Sequence, residues 1–420
     1  MVRELVVCLF SDRVGTLGLL NGRLSFRYRP DWLARADAVP LSVSLPLQSD
    51  LFEDQQARPF FAGLLPEGQL RQLIARQFNV SRQNDFGLLN AIGGECAGAV
   101  RFITPDSTLA VSGTDTDIAW LSDAELIALL DELPARPMMA GHEGLRLSLA
   151  GAQDKLPVIF DGRRFGLPKN GTPSSHILKP AILKLTDTVI NEAFCLALAN
   201  SMGLKPASAQ IHSVMGRQFL LVERYDRTFG AQGGRERLHQ EDFCQALGVV
   251  PEMKYQSEGG PDLSQCFNLV RRATRPSAPQ VIRLLDCVIF NALIGNHDAN
   301  AKNFSLLYRR DAAVLAPPYD LLSTAVYPRL THKMAMKIGS KYKFSELQQK
   351  HWQQFAAGAG LSWAQTRKRI LTFAEALPLA ARQVQSSDAD SFAGSDMVEQ
   401  IISLIEQRCL LTARRLVEQP

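Results

Sequence analysis

The chain has 420 residues, 46% hydrophobic and 21% charged, a balance that excludes long disorder and, at this length, favours two packed units over one. Seven cysteines (Cys8, Cys96, Cys195, Cys244, Cys266, Cys287 and Cys409) are scattered and mostly lie in apolar runs, so they read as buried thiols and not as a disulfide framework or zinc site. Net charge is only +4, yet residues 262–420 carry 20 Lys/Arg against 13 Asp/Glu, which makes that half the better candidate for a phosphate-rich partner. The opening apolar run is too short for a secretion signal, and no uncharged stretch reaches the roughly 18 apolar residues of a membrane span. A cytoplasmic protein without membrane association is expected.

Residues 2–9 and 23–28 have strand composition, and Gly15, Gly18, Asn21 and Gly22 between them are expected to form turns. With LSVSLPL at 41–47 they predict a small β-rich N-terminal unit. Apolar spacing turns helical over 58–89 and returns to strand at 98–104. A Ser/Thr/Gly/Asp-rich linker follows at 105–117. Ser122 or Asp123 is placed to cap the helix ELIALLDEL. From 145 to 224 the pattern predicts strands LRLSLAG, KLPVIF and HILKPAILKL, a helix TVINEAFCLALANSMG closed by Gly203, and strands SAQIHSV and QFLLVERYD. Beyond Glu241 helices dominate (EDFCQALG, CFNLVRRAT, PQVIRLLDCVIFNALIG), interrupted by strands at 302–310 and 334–339, with a disorder-prone piece at 384–396. A β-rich half followed by a helix-rich half predicts an α+β fold and not a repeating βαβ one.

The strongest chemical signal is GNHDANAKNF at 295–304, where Asp298 is followed five positions later by Asn303. This is the D-x-x-x-x-N spacing by which kinase catalytic loops place a carboxylate for the acceptor hydroxyl and an amide oxygen for Mg²⁺. Asp320, in PPYDLLST, lies 17 residues after Asn303, where a kinase places its main Mg²⁺ ligand; capping of the next short helix is the alternative. Upstream, Lys179 on a strand precedes Glu192 in a helix, the order needed for an ion pair that holds an ammonium against phosphates. Two solvated charges would look the same. In SLAGAQDK the small residues Ala150, Gly151 and Ala152 let backbone N–H groups approach phosphate oxygens, although any tight hairpin would use them too. Ser148 adds a hydroxyl to that loop. Glu223, Arg224 and Tyr225 close a strand where a two-lobed kinase crosses between lobes, and their alternative is an amphipathic edge strand. The other histidines show no ligand spacing, and no G-x-S-x-G elbow is present.

These motifs, with RVGTLGLLNGRLSFRYRPDWL, FFAGLLPEG, DFGLLNAIGGECAGAV, NEAFCLALA, QEDFCQALG and KYQSEGGP, resemble in order those of the HipA family of bacterial serine/threonine kinase toxins. The resemblance implies a two-lobed, protein-kinase-like α+β fold. Its parts would be an N-terminal β-rich module at 1–105, the nucleotide-binding part of the N-lobe at 118–226 and a helical C-terminal lobe at 227–420. It implies ATP and Mg²⁺ as cofactors, with Asp298 as proton acceptor and Asn303 and Asp320 as metal ligands. Lys179, paired with Glu192, would bind phosphate. The nucleotide site would be completed by Ala150, Gly151, Ala152, Gln153, Asp154, Lys155, Glu223, Arg224, Tyr225, Asn300, Lys302 and Tyr319. Ser148 matches the serine that family members autophosphorylate. An aminoacyl-tRNA synthetase, notably the glutamyl enzyme, is the implied substrate. The implied partners are a separate HipB-like helix-turn-helix antitoxin and, through that complex, operator DNA. Asn300 stands where the family has histidine. The basic run with Lys333, Lys337, Lys341 and Lys343 is either a DNA-phosphate contact or a solvated face.

Two competing readings are a small-molecule phosphotransferase, which would label neither Ser148 nor a synthetase from ATP, and a DNA-bound corepressor or pseudokinase, which would tolerate Asp298→Asn.

Overall fold

Asn21 and Gly22 both take positive φ, 52° and 79°, and with Leu20 opposite Arg23 they make the two-residue turn whose twist suits a hairpin. In the computed structural model, which describes residues 4–106, 117–230, 234–309, 312–386 and 392–417, this hairpin belongs to a four-stranded sheet. The strand order is Arg23–Tyr28, Asp12–Leu20, Glu4–Leu9, Val100–Ile103. Gly15 and Gly18, expected in turns, lie inside the strand Asp12–Leu20. The reason is packing: a Cβ on Gly15 would sit 2.3 Å from the Phe26 ring, so glycine is what lets Phe26 lie across the neighbouring strand. Phe26 anchors an aromatic cluster with Tyr28, Phe52 and Phe61.

Residues 41–47 form no strand, only a bridge between Ser42 and Leu45. Side chains take the bonds that a ladder would have made: the Leu41 N–H donates to the Tyr28 hydroxyl (2.8 Å), which donates to the Leu45 carbonyl (2.6 Å). The Val43 N–H donates to Glu241 at 3.0 Å. Helices Asp54–Gly63, Gly68–Gln77 and Asp85–Ile92 follow, in the stretch read as helical.

The chain divides into two units, the first made of Met1–Pro180, His212–Glu252 and Leu307–Asp311, the second of Ala181–Ile211, Met253–Leu306 and Ala312–Pro420. The first also holds most of a six-stranded sheet in the order Ile118–Trp120, Phe165–Pro168, Leu156–Phe160, His176–Pro180, Arg217–Glu223, Ala209–Val214. Residues 145–151 are not a strand but make isolated bridges, Leu147 with Glu95 and Gly151 with Pro66. HILKPAILKL stops being strand at Pro180. Ser122 caps the helix Asp123–Glu132 through a reciprocal bond pair with Glu125. Most of the linker at 105–117, and residues 387–391 of the second polar stretch, lie outside the described residues.

The second unit is mainly helical. Its central helix, Ser277–Ile294, is apolar nearly all round and by length and composition could cross a membrane, but 67% of it is buried inside the protein. It packs against Leu263–Ala273, Trp363–Gln385 and Asp396–Val417, which explains its unbroken run of buried residues from Cys287 to Ile294. Gly203 (φ 76°) follows the helix Thr188–Ser201, and Gly295 (φ 78°) caps Ser277–Ile294. Strand-rich and helix-rich portions are thus segregated, as in an α+β fold. All seven cysteines are free and buried.

Candidate active site

In the second unit, the helix Ser277–Ile294 delivers the chain into the loop that carries Asp298 and Asn303. Gly295 reverses the backbone, and its glycine is required twice over, by the positive φ and because a Cβ would come within 2.7 Å of that of Ala325. The Asp298 carbonyl then gathers the loop. It accepts from the Asn300 N–H (2.7 Å), the Asn300 side-chain amide (3.0 Å) and the Asn303 side-chain amide (3.2 Å). With its nitrogen so used, the Asn303 amide keeps its oxygen for another ligand. The Asp298 side chain is half-buried, and its Oδ1 accepts from the Tyr255 hydroxyl at 2.5 Å. Burial raises the pKa of this carboxyl, with the nearby charge of Asp320 adding to the rise, while the Tyr255 hydroxyl and the Lys254 ammonium oppose it.

Asp320 is tied to the same loop by one residue that sequence reasoning left without a role. The Asn296 side chain accepts from the Asp298 N–H (3.2 Å) and donates to the Asp320 carbonyl (3.1 Å) and to Asn291 Oδ1 (2.9 Å). Asp320 itself has φ 51°, a conformation uncommon for a residue with a Cβ. On its far side, Ser323 is clamped by Asn191: its N–H donates to Asn191 Oδ1 (2.7 Å), and the Asn191 amide donates to its carbonyl (3.0 Å). Asn191 and the buried Glu192 share the helix Thr188–Ser201. Tyr319 places its hydroxyl between Ser305 and the Lys302 carbonyl, 2.7 Å from each. The residue beside the acidic one, His297, is structural. Its Nδ1–H donates to the Thr331 carbonyl (3.0 Å), its Nε2 accepts from Arg408 (2.9 Å), and burial next to that guanidinium brings its pKa to about 4.

In the first unit, the loop at 150–155 is closed on itself by Lys155, whose ammonium donates to the Ala150 carbonyl at 2.6 Å. Gly151 has φ 110°, and a Cβ there would lie 2.7 Å from the Lys155 Nζ, so no other residue fits without displacing the lysine. Ala152 sits at the bend that follows Gly151. The Gln153 amide is 3.5 Å from the Pro180 carbonyl. Asp154 has a buried oxygen without a hydrogen-bond partner, and burial raises its pKa against the pull of Lys155. Ser148 is fully buried, its hydroxyl donating to the Leu64 carbonyl (2.9 Å) and its N–H to that of Glu95 (2.9 Å). Lys179 is buried on the strand His176–Pro180, opposite Leu220.

The three residues at 223–225 have three different fates. Glu223 is exposed, and the Tyr225 hydroxyl donates to Gln240 Oε1. The Arg224 guanidinium turns inward and is fully engaged, donating to Asp226 (2.7 and 2.9 Å), Glu95 (3.2 Å), Ser174 (2.9 Å) and the Cys96 carbonyl (2.9 Å). Glu95 also takes Arg227 (2.7 Å) and Arg237 (2.5 Å). Although burial works against ionisation, these three arginines hold Glu95 well below the usual carboxylate range, and Arg224 with Arg227 brings Asp226 to about 2. The Arg224 backbone is engaged as well, the N–H donating to the Ser175 carbonyl (3.0 Å) and the carbonyl accepting from the Arg227 N–H (3.2 Å), which leaves that carbonyl one lone pair for a ligand. Sequence reasoning missed this cluster, Asn296 and Tyr255. Tyr255 lay in the KYQSEGGP motif and Asn296 in GNHDANAKNF, which marked their segments but not their partners.

The HipA N-terminal domain is matched over residues 5–103 and the HipA-like C-terminal domain over 147–381. A protein of Sinorhizobium fredii named "Putative kinase Y4mE" is 43% identical over 393 residues, covering 93% of this chain and 94% of its own. The serine/threonine-protein kinase toxin HipA of Shewanella oneidensis is 28% identical, with 87% of each chain covered. Among solved structures, a chain from the complex of HipA, HipB and operator DNA of Shewanella oneidensis MR-1 superposes with a TM-score of 0.83 at 27% identity, over 96% of both chains. The α+β fold is therefore the two-lobed, kinase-like one of HipA, and the chain belongs to the HipA family of kinases.

Proposed function

We propose that the chain is an ATP- and Mg²⁺-dependent serine/threonine protein kinase toxin in which Asp298 accepts the proton of the substrate hydroxyl. One observation carries this reading: a single loop system in the second unit, joined through Asn296, holds Asp298, Asn303 and Asp320 together. The hydroxyl oxygen attacks the γ-phosphorus, the bond to the β-bridging oxygen breaks, the hydroxyl proton passes to Asp298, and ADP leaves. Among the described residues no group of three His, Cys, Asp or Glu could hold a metal alone. One carboxylate and one amide oxygen, Asp320 and Asn303, fit instead a Mg²⁺ that takes its other ligands from phosphate and water. When bound, that ion neutralises charge on the phosphates. The first unit supplies the loop Ala150, Gly151, Ala152, Gln153, Asp154 and Lys155 together with Lys179 for the phosphates, and the backbone at Glu223, Arg224 and Tyr225 for the base. In the second unit, Asn300, Lys302 and Tyr319 shape the site around the metal ligands.

Family membership supports an aminoacyl-tRNA synthetase such as the glutamyl enzyme as substrate. The likeness to a chain crystallised with HipB and operator DNA supports a HipB-like antitoxin as partner, with DNA reached through it. Ser148 serves as an autophosphorylation site, and since its hydroxyl is bonded to Leu64, its segment has to leave that position first. Phosphoproteomics after brief induction tests the whole reading. Wild type should label a synthetase and Ser148, and Asp298→Asn should reduce both by about 10³-fold or more while still binding its antitoxin. Undiminished growth arrest by Asp298→Asn at equal expression would refute it.

A further inference from the structure

Tyr255 sits in the segment between two short 3-10 turns, Pro251–Met253 and Gln256–Glu258. Its own carbonyl closes the second turn by accepting from the N–H groups of Glu258 (3.0 Å) and Gly260 (2.9 Å). Gly260 admits no side chain, since a Cβ would lie 2.0 Å from the Met253 carbonyl oxygen, and Gly259 takes φ 92°. The next residue, Gln256, accepts from the Lys337 N–H at 2.7 Å, which fastens the turn to the strand Lys333–Ile338. The backbone under Tyr255 is thus fixed on both sides, and the phenol has a defined place to deliver its hydroxyl. That place is Asp298 Oδ1, 2.5 Å away and 43 residues distant in the chain.

We propose that Tyr255 is a positioning residue for phosphoryl transfer: its hydroxyl holds Asp298 Oδ1 so that Oδ2 faces the acceptor hydroxyl. A carboxylate on a free side chain rotates about two bonds, and a hydrogen bond to one oxygen removes most of that freedom. The Asn loop contacts fix the Asp298 backbone, and Tyr255 fixes its end. The inference rests on Asp298 being the proton acceptor proposed above.

The test uses the full chain and ADP release from Mg·ATP, with water or the chain's own hydroxyls as acceptors, in wild type, Tyr255→Phe, Tyr255→His, Asp298→Asn and the Tyr255→Phe/Asp298→Asn double variant. Binding of a non-hydrolysable ATP analogue is measured in parallel by calorimetry. Tyr255→Phe should lower kcat about 10- to 100-fold with unchanged nucleotide affinity. Tyr255→His, which keeps an N–H donor, should recover part of that loss, and Tyr255→Phe should add nothing in the Asp298→Asn background. The inference is overturned if Tyr255→Phe turns over like wild type while Asp298→Asn is inactive, if its loss persists in the Asp298→Asn background, or if Phe and His variants are equally impaired. Wild-type turnover by Asp298→Asn would instead remove the kinase assignment of Asp298, and this inference with it.

Discussion

The Asn296 side-chain amide donates to the main-chain carbonyl of Asp320 at 3.1 Å, while its oxygen holds the Asp298 N–H at 3.2 Å. One carboxamide therefore sets the spacing between the candidate base and the candidate metal ligand. Asn296→Ala is expected to lower phosphoryl transfer about 10- to 100-fold and to raise the Mg²⁺ concentration needed for half-maximal rate, as loss of groups that orient metal ligands does. It also leaves Asn291 Oδ1 short of a donor, at a cost of about 1–3 kcal/mol. Steady-state kinetics across a Mg²⁺ series, beside urea unfolding, measures both.

Glu95 is expected to matter for stability and not for chemistry. Its carboxylate is only 2% exposed and faces Arg224, Arg227 and Arg237. Glu95→Gln would leave Arg224 and Arg227 with Asp226 and remove the carboxylate that pairs with the buried Arg237, and loss of one partner from such a cluster costs about 3–5 kcal/mol. A urea midpoint unchanged from wild type would contradict this.

Glu241 gives a pH signature. It is buried, accepting from Val43 N–H and the hydroxyls of Ser42 and Tyr308, and burial lifts its pKa from the ordinary 4.5 to about 7. Because the folded state holds this proton more tightly than the unfolded chain, its contribution is fully present below pH 4.5 and is lost as pH rises through about 7. His239 nearby is brought to about 4 by burial and acts with the opposite sign, so the bare stability curve mixes the two. The difference between Glu241→Gln and wild type isolates the first. It should move in favour of the variant by up to about 3 kcal/mol between pH 4.5 and pH 7, read by urea unfolding at each pH.

What could be read from sequence was what local order encodes. Asp298 and Asn303 are five residues apart in one loop, Gly203 follows its helix, and Ser122 caps its own, because each depends on neighbours within one or two turns of chain. Gly15 misled for the same reason: glycine marks a turn locally, but here it answers to Phe26 on the adjoining strand. LSVSLPL has strand composition, yet its backbone bonds go to Tyr28 and to Glu241, 198 residues on from Val43. Arg224 reads as a hinge residue until its partner Glu95, 129 positions away, is seen. Asn296 and Tyr255 act across 24 and 43 residues respectively, and nothing in their immediate sequence announces those contacts.

The double clamp between Asn191 and Ser323 has a mechanical outcome. Many phosphotransferases are turned off by swinging the glutamate-bearing helix outward. Here that helix is stapled, one residue before Glu192, to the backbone three residues past Asp320. Pulling the glutamate aside would drag the acidic segment with it, and an off-switch of the swinging kind would have to break both hydrogen bonds between Asn191 and Ser323 first.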